Sequence, residues 1–402
     1  MDAMHQAYRI YGKLLQRKSM TTALIYDPIF LEHLTPPKHP ERPQRLEMAM
    51  KVLEALDWLK RDGLIQLPPR AATEDELAAV HDRAYIRRIK TVAEDVAREE
   101  HQGSRKTRFF ATDTYISAHS YEAAIKAAGA PLTAIDAIML GEVDNAYCLV
   151  RPPGHHALPD EAMGFCLFNN VAVAAQYALD HHGLERVMII DYDVHHGNGI
   201  QDIFYTDPRV LYFSVHQAPF YPGTGYSEER GEGAGLGTTI NVPLPATVGY
   251  EIYEPVFRQV MSHAADRFNP QLILVSAGFD AHWNDPLGQM NLSTAGFAQL
   301  TKMIIDLAQM LCNGRLVMVQ EGGYNLDVMG ACVATCINLL LGDDAAVDSL
   351  GAGPNAEKEF HLNAEVLVAE LRRIHKLTGY RMRNAPKPDI ERLRREMKGP
   401  DA

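Results

Sequence analysis

Residues 187–200 read VMIIDYDVHHGNGI, and this stretch decides the expected fold. It begins with four apolar residues, a pattern typical of a strand buried on both faces, as in a parallel sheet. The positions that follow carry two carboxylates and two imidazoles, from Asp191, Asp193, His195 and His196. In an open α/β sheet, ligands lie beyond the carboxyl ends of the strands, and both side-chain types bind Zn²⁺. Crowding such groups is costly without a cation, so we favour a metal site over a polar turn with incidental histidines.

The alternation of an apolar strand, a polar loop and a helix recurs at least five times along the chain. This alternation predicts an α/β fold in three layers, α/β/α, with a mostly parallel central sheet and helices on both faces. We expect a single domain over residues 22–378, an N-terminal leader over 1–21 and a charged C-terminal tail over 379–402. The expected strands cover residues 22–26, 146–150, 187–190, 210–215, 239–244, 272–276 and 316–320. The expected helices cover residues 45–60, 84–100, 120–139, 169–181, 250–268, 294–312, 328–341 and 363–377.

The composition is that of an ordinary globular protein, with 47% apolar and 22% charged residues in a chain of 402. The net charge of −12 argues against direct binding to nucleic acid, which relies on lysine and arginine. Five cysteines, an odd number without a CxxC pair, favour a reducing compartment over a disulfide framework. The first 20 residues hold no long apolar segment, and no run approaches about 18 apolar residues. We therefore expect a cytoplasmic protein without a membrane span, and its charged tail is compatible with a homo-oligomer.

Three further strand ends carry residues suited to catalysis. His155 and His156 follow a Pro-Pro-Gly turn, Asp280 follows Gly-Phe, and Tyr324 follows Gly-Gly. Each has a structural alternative on its own: a polar loop pair, the N-cap of a helix, and a packed aromatic with its hydroxyl in solvent. Because the carboxyl ends of parallel strands share one edge of a sheet, we expect all of them to meet above Asp193.

Together these groups predict a metal-assisted amide hydrolase. A zinc ion bound by Asp193, His195 and Asp280 would leave one coordination position open for water or a carbonyl. The two adjacent histidines can act as general base and general acid, and a tyrosine hydroxyl can donate to the oxyanion that forms when water attacks a carbonyl. The glycine-rich segment 222–239 precedes a strand-like stretch and does not open a helix, so we exclude a nucleotide-binding loop there.

Seven motifs carry a family resemblance, and they are HPERPQR (39–45), RPPGHH (151–156), GFCLFNN (164–170), DYDVHHGNG (191–199), PGTG (222–225), GFDAHWNDPLG (278–288) and EGGYN (321–325). With these motifs in family order, the chain resembles the histone deacetylase superfamily, which includes acetylpolyamine amidohydrolases and bacterial deacetylase-like amidohydrolases. RPPGHHA and the asparagine of HHGNG are more similar to the class II branch than to class I. The resemblance implies the arginase/deacetylase fold, a deacetylase domain and one Zn²⁺ ion per chain.

The resemblance also implies roles for the site residues. Asp193, His195 and Asp280 match the zinc ligands, which leaves His196 outside the metal site. In the implied catalytic set, His156 is the general base and His155 lies beside it, with Asp191 as the partner of His155. Asn198 stands where class I members have an aspartate. Tyr324 polarises the scissile carbonyl.

A tunnel for an acyl-lysine side chain is implied in the same way. Phe165 matches one wall, and Tyr221 stands on the other wall, where many members have phenylalanine. Leu287 lies at the rim of the implied tunnel. The full expected substrate-binding set is Phe165, Tyr221, Leu287, Gly164, Gly322 and Asp113, the last matching an aspartate at the rim.

Family members bind K⁺ near the zinc, and we expect K⁺ as a structural ion here. The matching residues of the first potassium site, several through carbonyl oxygens, are Asp191, Asp193, His195, Ser214 and Val215. Those of the second site are Phe204, Asp207 and Val210.

The expected reaction is removal of acetyl or other acyl groups from the ε-amine of lysine in peptides or proteins by metal-activated water. A deacetylase of acetylpolyamines or other small acylated amines is the alternative on the same fold. A binuclear arginase-like hydrolase would need carboxylates where Gly197 and His282 stand, so it is disfavoured. A catalytically silent acyl-lysine binder is disfavoured because Tyr324 is present.

Overall fold

A computed structural model describes five parts of the chain, which are residues 20–102, 106–348, 350–353, 362–380 and 382–383. The predicted leader lies outside the described residues apart from 20 and 21. Most of the predicted charged tail lies outside them as well. The two predictions about the ends of the chain therefore stay predictions.

Ten strands run through the described residues: β1 (Thr22–Ile25), β2 (Leu64–Leu67), β3 (Thr107–Ala111), β4 (Thr114–Ser117), β5 (Asn145–Cys148), β6 (Val187–Asp191), β7 (Val210–Gln217), β8 (Thr239–Leu244), β9 (Leu272–Ala277) and β10 (Leu316–Gln320). Eight of them form one sheet in the order β2-β1-β5-β10-β9-β6-β7-β8, and every pairing in it is parallel. The other two, β3 and β4, form a separate antiparallel hairpin. The parallel sheet confirms the fold class predicted from the alternation of strands and helices.

The interior strands are buried along their whole length because both faces of the sheet are covered. Every residue of β1, β5, β6, β7, β9 and β10 is buried. The edge strand β2 differs, since only Leu64 of its four residues is buried. The sequence pattern did not predict this short, mostly solvent-accessible strand or the β3–β4 hairpin.

Eleven α-helices lie within the described residues: α1 (Gln44–Ala55), α2 (Glu74–Leu77), α3 (Arg83–His101), α4 (Ser120–Met139), α5 (Asn170–His181), α6 (Asn198–Phe204), α7 (Tyr250–Val256), α8 (Ser262–Phe268), α9 (Thr294–Cys312), α10 (Leu326–Leu340) and α11 (Ala364–Ile374). Helices α4 and α5 pack together on one face of the sheet, and α1, α9 and α10 pack on the other, which completes the three layers. None of the helices in the described ranges is long and apolar enough to cross a membrane.

The helix predicted over residues 250–268 is interrupted. Helix α7 contains Pro255, which has no N–H to donate to the preceding turn. A π-helical turn, Phe257–Met261, follows it and leads into α8. The segment therefore contains two short helices joined by a wider turn, where the apolar spacing alone predicted one helix.

The order of the strands explains why distant motifs meet. Strands β5, β10, β9 and β6 are successive neighbours in the sheet and point the same way. The loops that follow these strands contain residues 151–156, 321–325, 278–288 and 192–197. The four strand ends that the sequence predicts as polar therefore emerge side by side at one edge of the sheet.

Candidate active site

Asp193, His195 and Asp280 lie together beyond the ends of β6 and β9. One ligand atom from each residue lies within 4.8 Å of the other two. His195 Nδ1 is 3.1 Å from Asp193 Oδ1 and 3.2 Å from Asp280 Oδ2. Both carboxylates are fully buried, and the side chain of His195 is 12% exposed. The structure thus brings together the three residues that the sequence predicts as zinc ligands.

This donor set suits a divalent cation. Asp280 Oδ2 is buried and makes no well-aligned hydrogen bond with the described residues. Backbone N–H groups orient the other oxygens, because Gly322 donates to Asp193 Oδ2 at 2.8 Å and Val194 donates to Asp280 Oδ1 at 2.8 Å. Burial is the main cause that raises the pKa of Asp280, and repulsion from the Asp193 carboxylate raises it further. A bound cation would relieve that repulsion, and two carboxylates with one imidazole are ligands that Zn²⁺ accepts.

The two histidines after β5 have different partners. His155 Nδ1 donates to Asp191 Oδ2 at 3.2 Å, whereas His156 Nδ1 donates to the amide oxygen of Asn198 at 2.8 Å. Burial lowers the pKa of His155, but the Asp193 and Asp191 carboxylates outweigh it and raise the pKa to about 10. Burial and the cationic His155 hold the pKa of His156 well below its ordinary value. His155 is therefore charged, and His156 is neutral with Nε2 as its acceptor.

Tyr324 lies in the loop after β10 and is held from two sides. Its backbone N–H donates to Asp285 Oδ2 at 2.6 Å, and the guanidinium of Arg45 lies 4.9 Å from the centre of its ring. Burial and the Asp280 carboxylate raise the pKa of Tyr324 well above its ordinary value, so the hydroxyl stays protonated and can donate. The sequence motif GFDAHWNDPLG contains Asp285, but no pattern indicated that it would hold the tyrosine loop.

Aromatic rings line the approach to these groups. Phe165 packs edge-on against Tyr324 with ring centroids 5.9 Å apart, and Tyr221 packs edge-on against His156 at 5.1 Å. Tyr221 is 37% exposed, so its side chain extends from the histidine to solvent. The two residues predicted as tunnel walls therefore lie beside the buried tyrosine and histidine.

The remaining residues predicted for substrate binding lie at different depths. Gly164 donates its N–H to Asp113 Oδ1 at 2.9 Å near the surface. Gly164 has a φ of 57°, and a Cβ there would lie 2.1 Å from His156 Cδ2, so only glycine fits. Leu287 is half-buried. Gly322 lies deeper, where its N–H serves the Asp193 carboxylate.

Comparison with known proteins decides the family. Residues 39–340 match the model of the histone deacetylase domain. The chain belongs to the histone deacetylase family. It is 38% identical over 308 residues to a probable deacetylase of Archaeoglobus fulgidus, which is 77% of this chain and 82% of that protein. It is 41% identical over 315 residues to the polyamine deacetylase HDAC10 of Homo sapiens, which is 76% of this chain and 45% of that protein.

A solved structure of a histone deacetylase domain has the same fold. The HDA15 HD domain aligns with a TM-score of 0.77 at 33% identity, covering 95% of this chain and 99% of that one. The chain is thus a deacetylase, a hydrolase that acts on amides, in a family that is generally zinc-dependent. These findings confirm the resemblance, the fold class and the class of reaction predicted from the sequence.

Two histone deacetylase motifs, HPERPQR and RPPGHH, meet in a buried ion cluster that the sequence did not predict. Arg151 Nη2 donates to Glu41 Oε2 at 2.7 Å, and Arg45 Nη1 donates to Glu41 Oε1 at 3.1 Å. All three side chains are fully buried. Burial opposes ionisation of Glu41, but Arg151 and Arg45 outweigh it and lower the pKa to about 2. Arg45 Nε also donates to the Gly323 carbonyl at 2.6 Å, which connects the cluster to the tyrosine loop.

The residues of the two predicted potassium sites lie at the ends of β6 and β7 and around the start of β7. Asp191 pairs in register with Ser214. Asp207 donates its N–H to the Phe204 carbonyl at 3.1 Å, while its carboxylate is paired with Arg209 at 2.6 Å. Potassium binding at either set stays a prediction.

His196, which the resemblance leaves outside the metal site, has partners outside the triad. Its Nδ1 lies 2.8 Å from Thr224 Oγ1, and its Nε2 lies 3.1 Å from Gln201 Oε1. Its ring packs 4.7 Å from that of His216. His196 therefore connects the loop after β6 with the glycine-rich segment.

Proposed function

We propose that the chain removes acetyl or other acyl groups from the ε-amine of lysine in peptides or proteins, with one Zn²⁺ ion per chain. The observation that carries the proposal is the convergence, at one edge of the sheet, of a metal-ligand triad, a neutral histidine and a protonated tyrosine. The rings of Phe165 and Tyr221 beside them suit the apolar methylene stem of a lysine side chain.

Asp193, His195 and Asp280 would hold the zinc ion. When bound, Zn²⁺ supplies Lewis acidity toward the acyl carbonyl and lowers the pKa of water. We extend the proposal to structural K⁺ at the two predicted sets of oxygen ligands. Replacing K⁺ by Na⁺ in the buffer is expected to lower the melting temperature, and an unchanged melting temperature would contradict this extension.

His156 Nε2 takes the proton of the attacking water. That nitrogen is an acceptor because Nδ1 donates to the Asn198 amide oxygen, and the low pKa keeps the ring neutral before the reaction. The water oxygen bonds to the acyl carbon and the C–N bond breaks. A histidine then returns a proton to the leaving amine, so the products are a carboxylate and a free lysine.

Tyr324 donates its hydroxyl to the oxyanion that develops on the acyl oxygen. Asp285 and Arg45 hold this tyrosine before substrate arrives, which lowers the cost of reorganisation during the reaction. The charged ring of His155 stays next to His156, with centroids 4.0 Å apart, and offsets the negative charge of the neighbouring carboxylates.

An acetylpolyamine deacetylase is the second candidate. One relative carries the name polyamine deacetylase, and Asp113 offers a carboxylate at the rim for a distal ammonium. Leu287, the other rim residue, supplies no charge. We favour acyl-lysine because the rings of Phe165 and Tyr221 suit the methylene stem of a lysine side chain, and because Leu287 adds no charge for a distal ammonium.

A substrate panel on the zinc-loaded enzyme separates these candidates. The panel comprises acetyl-lysine peptides, longer acyl-lysine peptides, acetylputrescine and acetylspermidine, with one zinc per chain confirmed by metal analysis. The highest kcat/KM is expected for an acyl-lysine peptide. A higher value for acetylspermidine would establish the second candidate, binding without turnover would indicate a silent binder, and two metals with arginase activity would refute both.

Two substitutions test the assigned roles. His156→Ala is expected to lower kcat by about 10²–10⁴-fold through loss of the general base, and Tyr324→Phe by about 10²–10³-fold through loss of the oxyanion donor. The exposed residues His101 and Tyr226 provide matched controls as His101→Ala and Tyr226→Phe. Undiminished turnover in either site variant would remove that residue from the mechanism.

A further inference from the structure

A series of edge-to-face ring contacts connects the tunnel wall with solvent. Phe165, which packs on Tyr324, also packs against His39 with centroids 4.7 Å apart. His39 packs against Tyr115 at 5.6 Å, and Tyr115 packs against Phe109 at 5.8 Å. Phe109 is 58% exposed, so a large apolar ring ends the series at the surface. We refer to His39, Tyr115 and Phe109 as the aromatic shelf.

The hairpin that carries the shelf is bound to the tunnel wall. Phe109 and Tyr115 are partners across β3 and β4, which places their side chains on the same face of the hairpin. Thr114 Oγ1 accepts the N–H of Phe165 at 3.1 Å, and Asp113 Oδ1, at the turn of the hairpin, accepts the N–H of Gly164 at 2.9 Å. The third ring is oriented by a hydrogen bond from His39 Nδ1 to the carbonyl of residue 41 at 2.9 Å. The shelf is therefore an ordered surface attached to Phe165, the residue proposed as one wall of the tunnel.

We infer that the aromatic shelf binds an aromatic or aliphatic side chain of a peptide substrate, close in sequence to the acyl-lysine. The inference rests on the proposed lysine deacylation. A lysine stem that enters between Phe165 and Tyr221 leaves its own backbone at the rim, and each extended residue spans about 3.3 Å. In the series of contacts from Phe165, His39 comes first, Tyr115 second and Phe109 third. Substrate side chains within about four positions of the acyl-lysine can therefore reach Phe109.

The chemistry of the shelf favours this occupant over a small acylated amine. Its rings are arranged edge-to-face, which leaves ring faces and edges for a further aromatic group in the geometry that such pairs prefer. Covering the exposed ring of Phe109 removes apolar surface from water. A small acylated amine that ends near the rim has no side chain to place there, so the shelf distinguishes peptide substrates from small ones.

The test is a positional scan of acetyl-lysine peptides on the zinc-loaded 402-residue chain. Each position within four residues of the acetyl-lysine carries phenylalanine, leucine, glycine or aspartate in turn, and kcat/KM is measured. At one or more positions, phenylalanine is expected to exceed glycine by about 2- to 10-fold, the range for an added aromatic contact. In Phe109→Ala this ratio is expected to fall to about 1, while Phe109→Trp retains it.

Two controls separate an effect on binding at the aromatic shelf from an effect on the hydrolysis step. Turnover of acetyl-lysine amide, which has no neighbouring residues, is expected to be equal in the wild type and Phe109→Ala. Leu140→Ala removes a 74% exposed apolar side chain at the end of α4, at the opposite edge of the sheet, and is expected to leave the phenylalanine ratio unchanged.

Three outcomes would overturn the inference. They are a wild type without preference at any position, a preference that survives in Phe109→Ala, and a Phe109→Ala effect on acetylspermidine that is absent for peptides. In each of these cases acetyl-lysine amide is still hydrolysed, so the proposed function stands. If no acyl-lysine compound is hydrolysed by the zinc-loaded wild type, the proposed function itself fails, and the inference fails with it.

Discussion

The hydrogen bond between His156 and Asn198 influences the pKa of His156. The amide oxygen holds Nδ1–H at 2.8 Å and fixes the tautomer, but it adds no charge to stabilise the protonated ring. Burial and the cationic His155 already lower the pKa of His156. The proposed base is therefore ready to accept a proton at neutral pH and gives it up readily.

Asn198→Asp is expected to shift the pH dependence of the reaction. A carboxylate next to Nδ1–H favours the protonated ring and raises the pKa of His156, so the base is lost at a higher pH. The acidic limb of kcat/KM should move upward by about one pH unit. Asn313→Asp, at the C-cap of α9, adds the same charge far from the site and should leave the limb in place. An unmoved limb in Asn198→Asp would mean that His156 is not the group that titrates.

Single residues could be predicted where they sit in a motif at a strand end, and not where they act through the backbone. His156, Asp193 and Asp280 carry side chains that suggest a metal or a base. Asp285 acts by accepting the N–H of Tyr324, and such a contact needs no particular residue type at the donor. The sequence therefore offered no signal that these two positions touch.

At the scale of elements, the Glu41–Arg45–Arg151 cluster joins three loops that surround the site. Glu41→Gln keeps the size of the side chain but leaves two buried guanidinium groups without a counter-charge. We expect a loss of about 3–5 kcal/mol in the free energy of unfolding, measured by chemical denaturation. Glu370→Gln breaks the exposed pair with Arg373 and should leave that free energy nearly unchanged, because solvent screens the pair. Equal effects of the two substitutions would contradict a structural role for the cluster.

Helices and strands could be predicted where apolar residues recur at a regular spacing over the whole element. Helices α4 and α9 and strands β8 and β10 have the predicted bounds. The β3–β4 hairpin was missed because its residues are mostly half-exposed and alternate poorly. The shelf on this hairpin was missed with it, since Phe109 and Tyr115 share a surface only once the strands pair.

At the scale of the whole molecule, several buried histidines make the fold sensitive to acid. The pKa is lowered to about 3 for His33 and to about 4 for His81, His216, His282 and His375, with burial as the main cause. These groups bind protons near pH 6.5 when unfolded but not when folded. Because protonation favours the unfolded chain, the free energy of unfolding is unaffected by these histidines above about pH 6.5. It decreases as the pH falls from there toward about 4. Glu321, with its pKa raised to about 7 by burial, opposes the trend.

His375→Leu tests this linkage away from the active site. His375 is 4% exposed, and neither ring nitrogen has a hydrogen-bond partner among the described residues. Burial, Arg230 and Arg267 lower its pKa, so its protonation at acid pH is costly. The melting temperature of the variant should fall less between pH 7.5 and 5 than that of the wild type, by about 2 °C. His101→Leu, at an exposed position, should leave the difference unchanged, and equal slopes for wild type and His375→Leu would refute the linkage.

The overall architecture followed from the sequence, but the order of the strands did not. Alternating strands and helices predict parallel pairing and right-handed crossovers. The interior strands are apolar at nearly every position, so the pattern does not distinguish one neighbour from another. That β10 lies between β5 and β9 could be learned only from the structure, and this order brings Tyr324 next to the triad.

The same strand order has a consequence for how the enzyme is made. Two proposed zinc ligands follow β6, and the third follows β9, which lies beside β6 in the sheet. In the chain, however, Asp280 comes 86 residues after Val194, which lies between the first two ligands. A nascent chain that has left the ribosome only as far as α8 holds Asp193 and His195 without Asp280. If the proposed zinc site is correct, its three ligands come together only after β9 has been synthesised and has paired with β6. Zinc content in a population of newly made molecules would then report how many have completed their sheet.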